Sequence, residues 1–245
     1  MTVRFSVDRW AAWAPGLNDH AAWHAWLRQP TTLTYTQDPP LVEMPPMIRR
    51  RVDRLGRVAL QAAYWGQSDS SPCPIVFASR RGELGRCLHM LCQLADGEAP
   101  SPAAFSTSVH NAIGALYSIA NAYTGPYTAI AAGEETVEAA FTEALGQLTD
   151  GEPTVLVVYY DEPLPSPYDV FEDGVEFARA TAYSIRLVDK GGFTLQSGPA
   201  IQEISEPTLK GLTTDLAVLD FLVSGTARAY VHTVGARRWE WANHG

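Results

Sequence analysis

The stretch from Tyr127 to Leu148 constrains the fold of this 245-residue chain more than any other. It opens with a short apolar run, Tyr127 to Ala132, that predicts a buried strand, and then passes through Gly133-Glu134-Glu135-Thr136. Helical spacing follows, with apolar residues at Val137, Ala140, Phe141, Ala144, Leu145 and Leu148. Many α/β enzymes carry a nucleophile where a strand turns sharply into a helix at a glycine, because the helix N-terminus stabilises a developing anion. Here the turn holds two carboxylates and neither serine nor cysteine.

A second segment leads into this unit across Gly125-Pro126, a dipeptide that signals a turn. It runs from Ser106 to Ala122, is rich in small apolar residues, and carries polar groups at Ser108, His110, Asn111 and Ser118. Together the two segments resemble the N-terminal half of a β-ketoacyl synthase, of the thiolase-like superfamily. In that family a Gly-Pro turn precedes the strand, and the condensing cysteine opens the helix. Counted from Gly125-Pro126, Glu134 stands in the position of that cysteine.

The sequence is similar more narrowly to the small ketosynthase-like proteins of aryl polyene clusters, which are described as chain length factors. The similar patterns are SVHNAIGALYSI and GPYTAIAAGEET, with further likeness at residues 76–83 and 157–163. The resemblance covers Phe5 to Pro167 well and the remainder weakly. It implies a thiolase-like layered α/β/α fold with a complete N-terminal half, residues 1–167, and a reduced second half, residues 168–245, packed on the same core as a single compact unit. The sequence itself shows no convincing internal repeat.

Composition restricts the partners and the compartment. The net charge of −9 argues against nucleic acid as a main partner and against an anionic membrane surface. No apolar run approaches the length of a spanning helix, and charges and a proline interrupt the N-terminus where a signal peptide would lie. The three cysteines, Cys73, Cys87 and Cys92, have neither metal-ligand spacing nor the even number of a disulfide set. We therefore expect reduced thiols, no bound metal and a cytoplasmic location.

Hydrophobic periodicity predicts the remaining elements. In the first part we expect a strand at Val3–Val7, a helix capped by Asn18 or Asp19 and running through Leu27, a helix over Met47–Trp65, a strand at Ile75–Ala78, a helix to Leu94 with Leu84, Leu88 and Leu91 inward, and a strand at Val155–Tyr159 covered on both faces. In the second part we expect strands at Glu176–Leu187, Phe193–Gln196 and Ala229–Thr233, and a helix at Thr208–Val223.

Four tryptophans near the N-terminus form a dense aromatic set: Trp10, Trp13, Trp23 and Trp26. Such a set can be a ligand cage. Large aromatic side chains more often bury apolar area in a core or against a partner, and we favour packing.

The groups that condensation needs are missing. A condensing enzyme uses a cysteine thiolate to take the acyl chain, and two basic groups, usually histidines, to assist decarboxylation and stabilise negative charge. In the resembled family both histidines lie in the second half, whereas here His89 and His110 precede Glu134, and His232 has no accompanying glycine-rich loop. A carboxylate such as Glu134 is also a far poorer nucleophile toward a thioester than a thiolate. We therefore expect the chain to be inactive in condensation.

Two other chemistries stay open on the sequence alone. Glu134 could orient a malonyl carbonyl in a decarboxylase site, as a glutamine does in some relatives of condensing enzymes, although no basic partner is evident. Ser108, His110 and Asp161 could form a hydrolytic triad, although no G-x-S-x-G elbow holds Ser108. A carboxylate at a helix N-terminus also has a structural reason to be there, since the macrodipole stabilises it.

The resemblance implies a subunit of a heterodimer rather than an enzyme on its own. Such a subunit pairs with a catalytic β-ketoacyl synthase and lines the tunnel for the growing acyl chain, here an aryl-primed polyene. The implied tunnel or interface residues are Ser108, Val109, His110, Asn111, Ala112, Ile113 and Tyr117. The chain itself would need no cofactor, since an acyl carrier protein brings the phosphopantetheine arm. The rivals are a free-standing acyl-binding or scaffolding homodimer and an independent acyltransferase that uses one of the cysteines.

A basic run stands out in this acidic chain at Arg49, Arg50, Arg51 and Arg54. Runs of charge are usually solvated faces of a helix. The functional alternative is a docking site for the acidic carrier protein, because electrostatic complementarity raises the rate of encounter.

Overall fold

The computed structural model describes residues 3–34, 37–67, 72–172, 176–200 and 212–245. Its strands are β1 (Phe5–Trp13), β2 (Ile75–Ala78), β3 (Tyr127–Ile130), β4 (Val155–Asp161), β5 (Arg179–Leu187), β6 (Phe193–Pro199), β7 (Ala229–Val234) and β8 (Arg237–Asn243). Its α-helices are α1 (His20–Arg28), α2 (Pro46–Arg49), α3 (Arg54–Gly66), α4 (Leu84–Ala95), α5 (Pro102–Ser106), α6 (Ala112–Asn121), α7 (Thr136–Thr149) and α8 (Thr214–Ser224). Short 3₁₀ turns occur at Gly133–Glu135 and Tyr168–Phe171.

The eight strands form one sheet in the order β3-β2-β4-β5-β1-β6-β8-β7. β2 is parallel to β3 and β4, and the other neighbouring pairs are antiparallel. Residues of α1, α7 and α8 pack in one buried cluster, and residues of α3 and α6 pack in the cluster on the opposite face. The predicted layered α/β/α fold is thus confirmed.

Strand β4 shows why the sheet has a core on each side. All seven of its residues are buried. Val155 and Val157 belong to the cluster beneath α7 and α8, whereas Leu156 and Val158 belong to the cluster beneath α3 and α6. This alternation is the two-residue period of a strand, and a strand covered on both faces requires an apolar residue at nearly every position.

The sheet contains a structural repeat that the sequence does not display. In the first part α7 leads into β4, which pairs with β5, which in turn pairs with β1. In the second part α8 leads into β7, which pairs with β8, which in turn pairs with β6. β1 and β6 meet side by side between the two copies. Among the described residues, the second copy has no strands equivalent to β2 and β3.

The helix predicted over Met47–Trp65 is confirmed from Arg54 onward, but its continuity is wrong, because the chain breaks between α2 and α3. The Asp53 carboxylate accepts a hydrogen bond from the Gly56 N–H at 3.1 Å and caps the start of α3. The guanidinium of Arg57 reaches back and donates to the Arg49 carbonyl at 3.2 Å, which satisfies the end of α2. Local capping therefore overrides the apolar periodicity that runs across the break.

Helix α4 forms where it is expected, but its predicted inward residues are wrong. Within α4 only Met90 is buried, while Leu84 and Leu88 are half-buried and Leu91 is 57% exposed. The apolar residues do follow helical spacing, yet the leucines of α4 belong to neither buried cluster of the described residues.

Several other boundaries differ from the prediction. β1 continues to Trp13, the strand expected from Glu176 begins at Arg179, and β6 continues to Pro199. The helix expected from Thr208 begins at Thr214, and residues 208–211 lie outside the described residues. β8 was not predicted, although its buried Trp239 and Trp241 alternate with polar residues as in a half-buried strand. The expected β2, α1 and α7 are confirmed.

Candidate functional site

The junction between β3 and α7 has the sharp turn that the sequence predicts. Gly133 adopts a φ of +60°, a conformation that favours glycine because it has no Cβ. The Thr136 hydroxyl accepts the Ala132 N–H at 3.0 Å and donates to the Gly133 carbonyl at 2.7 Å. These two bonds fix the turn and place Glu134 at the entry to α7.

Glu134, which the sequence count from Gly125-Pro126 predicts to occupy the nucleophile position, has a side chain that is 49% exposed. Its carboxylate lies 3.6 Å from Nη2 of Arg80, on the loop after β2. A basic partner for Glu134, which the sequence does not reveal, is therefore present. A guanidinium remains protonated at physiological pH, so Arg80 can orient or neutralise the carboxylate but cannot act as a proton shuttle.

The second carboxylate of the turn, Glu135, connects α7 to the end of the chain. It accepts a hydrogen bond from the indole N–H of Trp239 at 2.8 Å and lies 3.5 Å from Nε of Arg237. Both partners lie on β8. Glu135 therefore has a structural role between the two parts of the sheet.

A buried ion network lies beside the turn. Nε and Nη2 of Arg179 donate to the two carboxylate oxygens of Asp215 at 2.6 and 2.9 Å. Nη1 of Arg179 donates to Glu176 at 3.0 Å, and Nη1 of Arg81 lies 3.0 Å from the other oxygen of Glu176. The four side chains are at most 10% exposed. Two positive and two negative charges therefore compensate one another away from solvent, as buried charges must.

The sequence did not point to this network, because its members come from three separate segments of the chain. One signal was available. Arg179 interrupts the apolar run FARATAY, and a charge within a buried strand requires a partner of opposite sign. The sequence gives no indication of which carboxylate that partner is.

Asp161, at the end of β4, is buried next to the network and accepts four hydrogen bonds. The donors are the hydroxyls of Ser79 and Tyr159 and the backbone N–H groups of Arg80 and Arg81, at 2.8, 2.5, 3.1 and 3.3 Å. Burial raises the pKa of Asp161, while the hydrogen bond from Tyr159 and the charge of Arg179 oppose the rise. The carboxylate thus holds the loop after β2 in place and leaves little capacity for a substrate.

The space that remains among these groups is a cavity of about 30 Å³, lined by the turn, the ion network and the first residues of α8. A water molecule needs about 10–15 Å³ of such volume, so the cavity holds at most a few waters. An acyl thioester is much larger and does not fit. Among the described residues, charged side chains therefore occupy most of the space on the buried side of Glu134.

His232, on β7, links the first turns of α7 and α8. Its Nδ1 lies 2.8 Å from Oε1 of Glu138, and its Nε2 lies 3.3 Å from the Thr214 hydroxyl. Glu138 is fully buried, and its Oε2 has no hydrogen-bond partner among the described residues. The order hydroxyl, imidazole, carboxylate is that of a hydrolytic triad. However, Thr214 lines the cavity of about 30 Å³, which is too small for an acyl substrate.

The residues predicted to line a tunnel lie just before and within α6, and they fall into two groups. The outer group comprises Ser108, Val109, His110 and Asn111, which are half-buried or exposed. The inner group comprises Ala112, Ile113 and Tyr117, which are buried. The Tyr117 hydroxyl donates to Oε1 of Gln67 at 2.6 Å, and its ring contacts the rings of Tyr64, Phe77 and Tyr123. Burial raises the pKa of Tyr117, so its hydroxyl stays protonated.

Ser108, His110 and Asp161 do not form a triad. The Ser108 hydroxyl donates to the Phe105 carbonyl at 2.9 Å, and Nε2 of His110 lies 2.9 Å from the Ile130 carbonyl. Asp161 is engaged by its own four donors. The three side chains are therefore bound at three different places, and the hydrolytic alternative is wrong.

The predicted docking arginines lie on both sides of the break between α2 and α3 instead of sharing one helix face. Nη1 of Arg49 donates to the Leu41 carbonyl at 3.1 Å. Nε of Arg54 lies 3.8 Å from the Asp38 carboxylate. The two arginines within the break itself, Arg50 and Arg51, are exposed.

The edge of the sheet at β3 adjoins an exposed apolar surface. Among the described strands β3 pairs with β2 alone, and α6 packs beside it. Five large apolar side chains on α4, α5, α6 and the segment between α5 and α6 are 45–66% exposed: Leu91, Leu94, Phe105, Val109 and Ile119. We call these five residues the α4–α6 face. Single exposed apolar residues are ordinary, whereas several on α4 and α5, which contact each other, suit an interaction surface.

The family model for the β-ketoacyl synthase N-terminal domain matches residues 23–242. The chain belongs to this family. The resemblance inferred from the strand–glycine–helix unit is therefore confirmed. No curated protein sequence matches the chain significantly.

Solved structures with the same fold include ketosynthase complexes. A chain from the ketosynthase ApeO in complex with its chain length factor ApeC, from Xenorhabdus doucetiae, is 24% identical with a TM-score of 0.81, and the match covers 98% of this chain and 99% of that one. The ishigamide ketosynthase/chain length factor is 15% identical with a TM-score of 0.61, covering 82% of this chain and 68% of that one. A chain of AntDE:AntF, a type II polyketide synthase carrier protein in complex with its ketosynthase bound to the hexaketide, is 11% identical with a TM-score of 0.66, covering 99% of each. At these identities the matches establish the thiolase-like fold.

In the part of the chain that the structure describes, no helix is long and apolar enough to cross a bilayer. The same residues contain no group of three or more His, Cys, Asp or Glu side chains that could hold a metal ion. The three cysteines are free thiols, of which Cys73 is buried and Cys92 is exposed.

Proposed function

We propose that this protein is a non-catalytic chain length factor, which pairs with a catalytic β-ketoacyl synthase and shapes the tunnel for a growing polyene or polyketide chain. One observation carries the proposal. Glu134, at the predicted position of the family's nucleophile, pairs with Arg80 beside a cavity of about 30 Å³ that the buried ion network lines. In the part of the chain that the structure describes, this cavity is too small for a thioester, which suits a partner subunit better than an enzyme.

The side chains near the turn also lack the groups for decarboxylative condensation. That reaction uses a thiolate nucleophile and two basic groups that stabilise the enolate and the oxyanion. Glu134 offers a carboxylate instead of the thiolate. His232 is bound between Glu138 and Thr214, so neither ring nitrogen is directed at an incoming substrate.

The α4–α6 face and the edge strand β3 supply the surface for the partner. Obligate heterodimers bury more than about 2,000 Å² and use apolar contacts that resemble a domain core cut in half. The five residues of the α4–α6 face have this character, and β3 has an unpaired edge among the described strands. Contact with the ketosynthase across this side would bring the outer group, residues 108–111, to the junction between subunits.

The inner group of α6 would then limit the length of the acyl chain. Ile113 and Tyr117 are buried behind the outer group, and the hydroxyl of Tyr117 is fixed by Gln67. A chain that extends along α6 would meet these side chains as a wall. Removing their volume is expected to lengthen the path, because the surrounding structure only partly fills a cavity in a core.

The test measures the length of the acyl products made when this protein is co-expressed with its catalytic ketosynthase partner. Tyr117→Ala or Ile113→Ala should give longer acyl products, as detected by mass spectrometry. Phe141→Ala is the matched control, because it opens a cavity in the layer on the other side of the sheet and should leave product length unchanged. If Tyr117→Ala and Ile113→Ala form the pair normally but yield unchanged lengths, the tunnel assignment fails.

A second experiment separates the chain length factor from the decarboxylase alternative. The chain alone, supplied with malonyl and starter units on their carriers, should give no two-carbon extension. Glu134→Gln should leave product formation by the pair largely intact, because Glu134 has no chemical role in this proposal. A collapse in rate with normal assembly would instead favour the decarboxylase. A stable homodimer that ignores the ketosynthase on size-exclusion would favour an acyl-binding protein.

The break between α2 and α3 remains the proposed carrier-protein docking site. Arg50 and Arg51 are exposed there, and the neighbouring Met47 and Val42 are 79% and 69% exposed. Exposed arginines around apolar side chains complement a carrier helix that is acidic and partly apolar. Arg50→Glu with Arg51→Glu should raise the KM for the carrier in reactions of the pair and leave kcat nearly unchanged.

A further inference from the structure

Helix α4 is attached to the rest of the molecule in a different way from the other long helices. Among the described residues, Met90 is the one buried residue of α4, and neither buried cluster contains a residue of this helix. Its first turn instead carries charged side chains that reach the start of α3. Contacts between charged groups depend on protonation, so the attachment of α4 can respond to pH in a way that apolar packing cannot.

One guanidinium at this turn serves two carboxylates that belong to two helices. Glu83, which flanks the N-terminus of α4, has a side chain that is 7% exposed, and Nε of Arg86 lies 3.4 Å from its Oε2. Nη2 of Arg86 donates to Oδ2 of Asp53, whose other oxygen caps α3 through the Gly56 N–H. When both carboxylates are ionised, the single charge of Arg86 balances one of them and leaves the other.

The surroundings of Glu83 favour its protonated form. Burial raises the pKa of Glu83 to about 8, and the neighbouring Asp53 carboxylate adds to the rise while Arg86 opposes it. The positive end of the α4 macrodipole acts in the same direction as Arg86, toward the ionised form. A protonated Glu83 donates a hydrogen bond to Asp53, whereas two ionised carboxylates repel each other.

Groups from β4 and from the segment before α6 complete the surroundings of Glu83. Burial raises the pKa of Tyr160, on β4, and the charge of Glu83 adds to that rise, so the phenol stays protonated. The ring of His110 packs against Gly82, and its Nε2 lies 2.9 Å from the Ile130 carbonyl. Among the described residues, Arg86 and Asp53 are the charged side chains that form hydrogen bonds with Glu83.

A second buried carboxyl group lies beneath the same turn. Oε1 of Glu162, just after β4, is 3.9 Å from the place that a Cβ on Gly85 would take. Burial raises the pKa of Glu162 to about 7, Arg54 opposes the rise, and the remaining contributors add to it: Asp53, Asp161 and Asp38. Ionisation of Glu162 therefore acts on the turn in the same direction as ionisation of Glu83.

The direction of the pKa shift determines how the docking of α4 depends on pH. In the docked state Glu83 keeps its proton up to a pH of about 8, whereas a released and solvated glutamate ionises near its ordinary pKa of 4.5. The docked state therefore binds more protons between these two values, and docking weakens as the pH rises through this window. Below the window both states are protonated and above it both are ionised, so the dependence levels off at each end.

We propose that the first turn of α4 is a pH-sensitive attachment, in which a protonated Glu83 keeps the helix docked on the start of α3 and ionisation of Glu83 loosens it. The proposal is independent of the chain length factor function. Leu91 and Leu94 lie on the same helix, so the protonation of Glu83 also determines how firmly this part of the α4–α6 face is held.

The test measures hydrogen exchange of the α4 amides in the full-length protein at about pH 6 and about pH 8.5, with each rate divided by the intrinsic exchange rate at that pH. This ratio reports local opening of the helix. We expect it to rise at least about tenfold between the two conditions, because the docked state gives up the proton of Glu83. The amides of β4, in the middle of the sheet, correct for unfolding of the whole chain.

Glu83→Gln is the informative variant, because its amide keeps the shape of the protonated acid and does not ionise. The rise in opening of α4 should be at least about fivefold smaller than in the wild type. Glu98→Gln is the matched control, since it makes the same chemical change at an exposed glutamate just after α4, and it should keep the wild-type response. Circular dichroism confirms that both variants are folded.

A second readout at one fixed pH removes the effect of pH on the exchange reaction. Cys87 is half-buried on α4, with Sγ 3.8 Å from the Ser108 carbonyl, whereas Cys92 on the same helix is exposed. At about pH 8.5, N-ethylmaleimide should modify Cys87 at least about threefold more slowly in Glu83→Gln than in the wild type, because the neutral side chain keeps α4 docked. Cys92 should react equally in both proteins.

The proposal is overturned if opening of α4 in the wild type is the same in the two conditions. It is also overturned if folded Glu83→Gln shows the full wild-type rise, because another group would then control the helix. Loss of the response in Glu98→Gln as well would show that it follows net charge and not this turn. Unchanged reactivity of Cys87 in Glu83→Gln at the fixed pH would equally reject the attachment through Glu83.

Discussion

The guanidinium of Arg179, at the start of β5, is buried. Its bidentate hydrogen bonds to the Asp215 carboxylate compensate its charge. Arg179→Met would leave Asp215 buried without that partner. Removing one member of a buried ion pair costs about 3–5 kcal/mol, because the remaining charge is uncompensated. We expect the free energy of unfolding to fall by this amount, as measured by urea denaturation.

The matched control is Arg228→Met, because Arg228 is exposed and its loss should change stability by no more than about 0.5 kcal/mol. The double variant Arg179→Met with Asp215→Leu removes both charges and should recover most of the loss, since Glu176 keeps Arg81 as a partner. A double variant as unstable as the single one would show that Arg179 does more than compensate Asp215.

At the residue scale, the sequence predicts that Glu134 lies at the entry to the helix, but it does not predict which charged side chains surround it. Glu134 could be placed at the helix entry by counting from Gly125-Pro126, because that part of the chain is continuous. Arg179 and Asp215 are 36 residues apart, and only the folded sheet brings them together. Periodicity reports which face of an element is apolar, and it contains no information on which charges meet across elements.

Helix α4 leaves its apolar side exposed, and this is the element-scale feature that we expect a partner to cover. Leu91→Glu with Leu94→Glu should leave the fold intact, because both side chains are more than half exposed. The same change should weaken binding to the proposed ketosynthase partner, because two carboxylates would have to be buried among apolar contacts without a partner of opposite charge. Analytical ultracentrifugation of the mixed proteins measures the change.

Val170→Glu with Phe171→Glu is the control for that experiment. Both residues are exposed and apolar, at 76% and 69%, but they lie on the 3₁₀ turn Tyr168–Phe171 rather than on the α4–α6 face. This pair should bind the ketosynthase as the wild type does. Loss of binding in both double variants would indicate a non-specific effect of added charge, and retention in both would place the interface elsewhere.

The sequence predicts best those elements whose apolar pattern by itself indicates which of their faces are buried. β4 is apolar or aromatic at every position before Asp161 and is buried on both faces, and α7 buries each of its predicted residues. α4 has an equally regular pattern, but apolar spacing cannot distinguish a core from an uncovered interface. The break before α3 was missed because a single cap at Asp53 outweighs the periodicity on either side of it.

At the scale of the whole molecule, the sheet joins the two parts of the chain through its first strand. β1 pairs along its length with β5 and meets β6 at Phe5 and Phe193. Both of its partners lie after residue 167, where the likeness to the family's N-terminal half fades. The point near residue 167 where the likeness fades is therefore not a boundary between two folding units. Although α8-β7-β8 repeats α7-β4-β5, the two copies share one sheet and are not independent.

This arrangement predicts one cooperative unfolding transition, in which tryptophan fluorescence and far-UV circular dichroism superimpose. The ring of Trp241 packs 6.5 Å from that of Phe5 and 4.9 Å from that of Phe141, so the end of the chain and its beginning share one core. Residues 1–167 expressed alone should lack this transition, because β1 would lose both partners and β4 would lose β5. If that fragment melted as sharply as the whole chain, β1 would have to be satisfied without β5 and β6, and the single core inferred from the sheet order would be wrong.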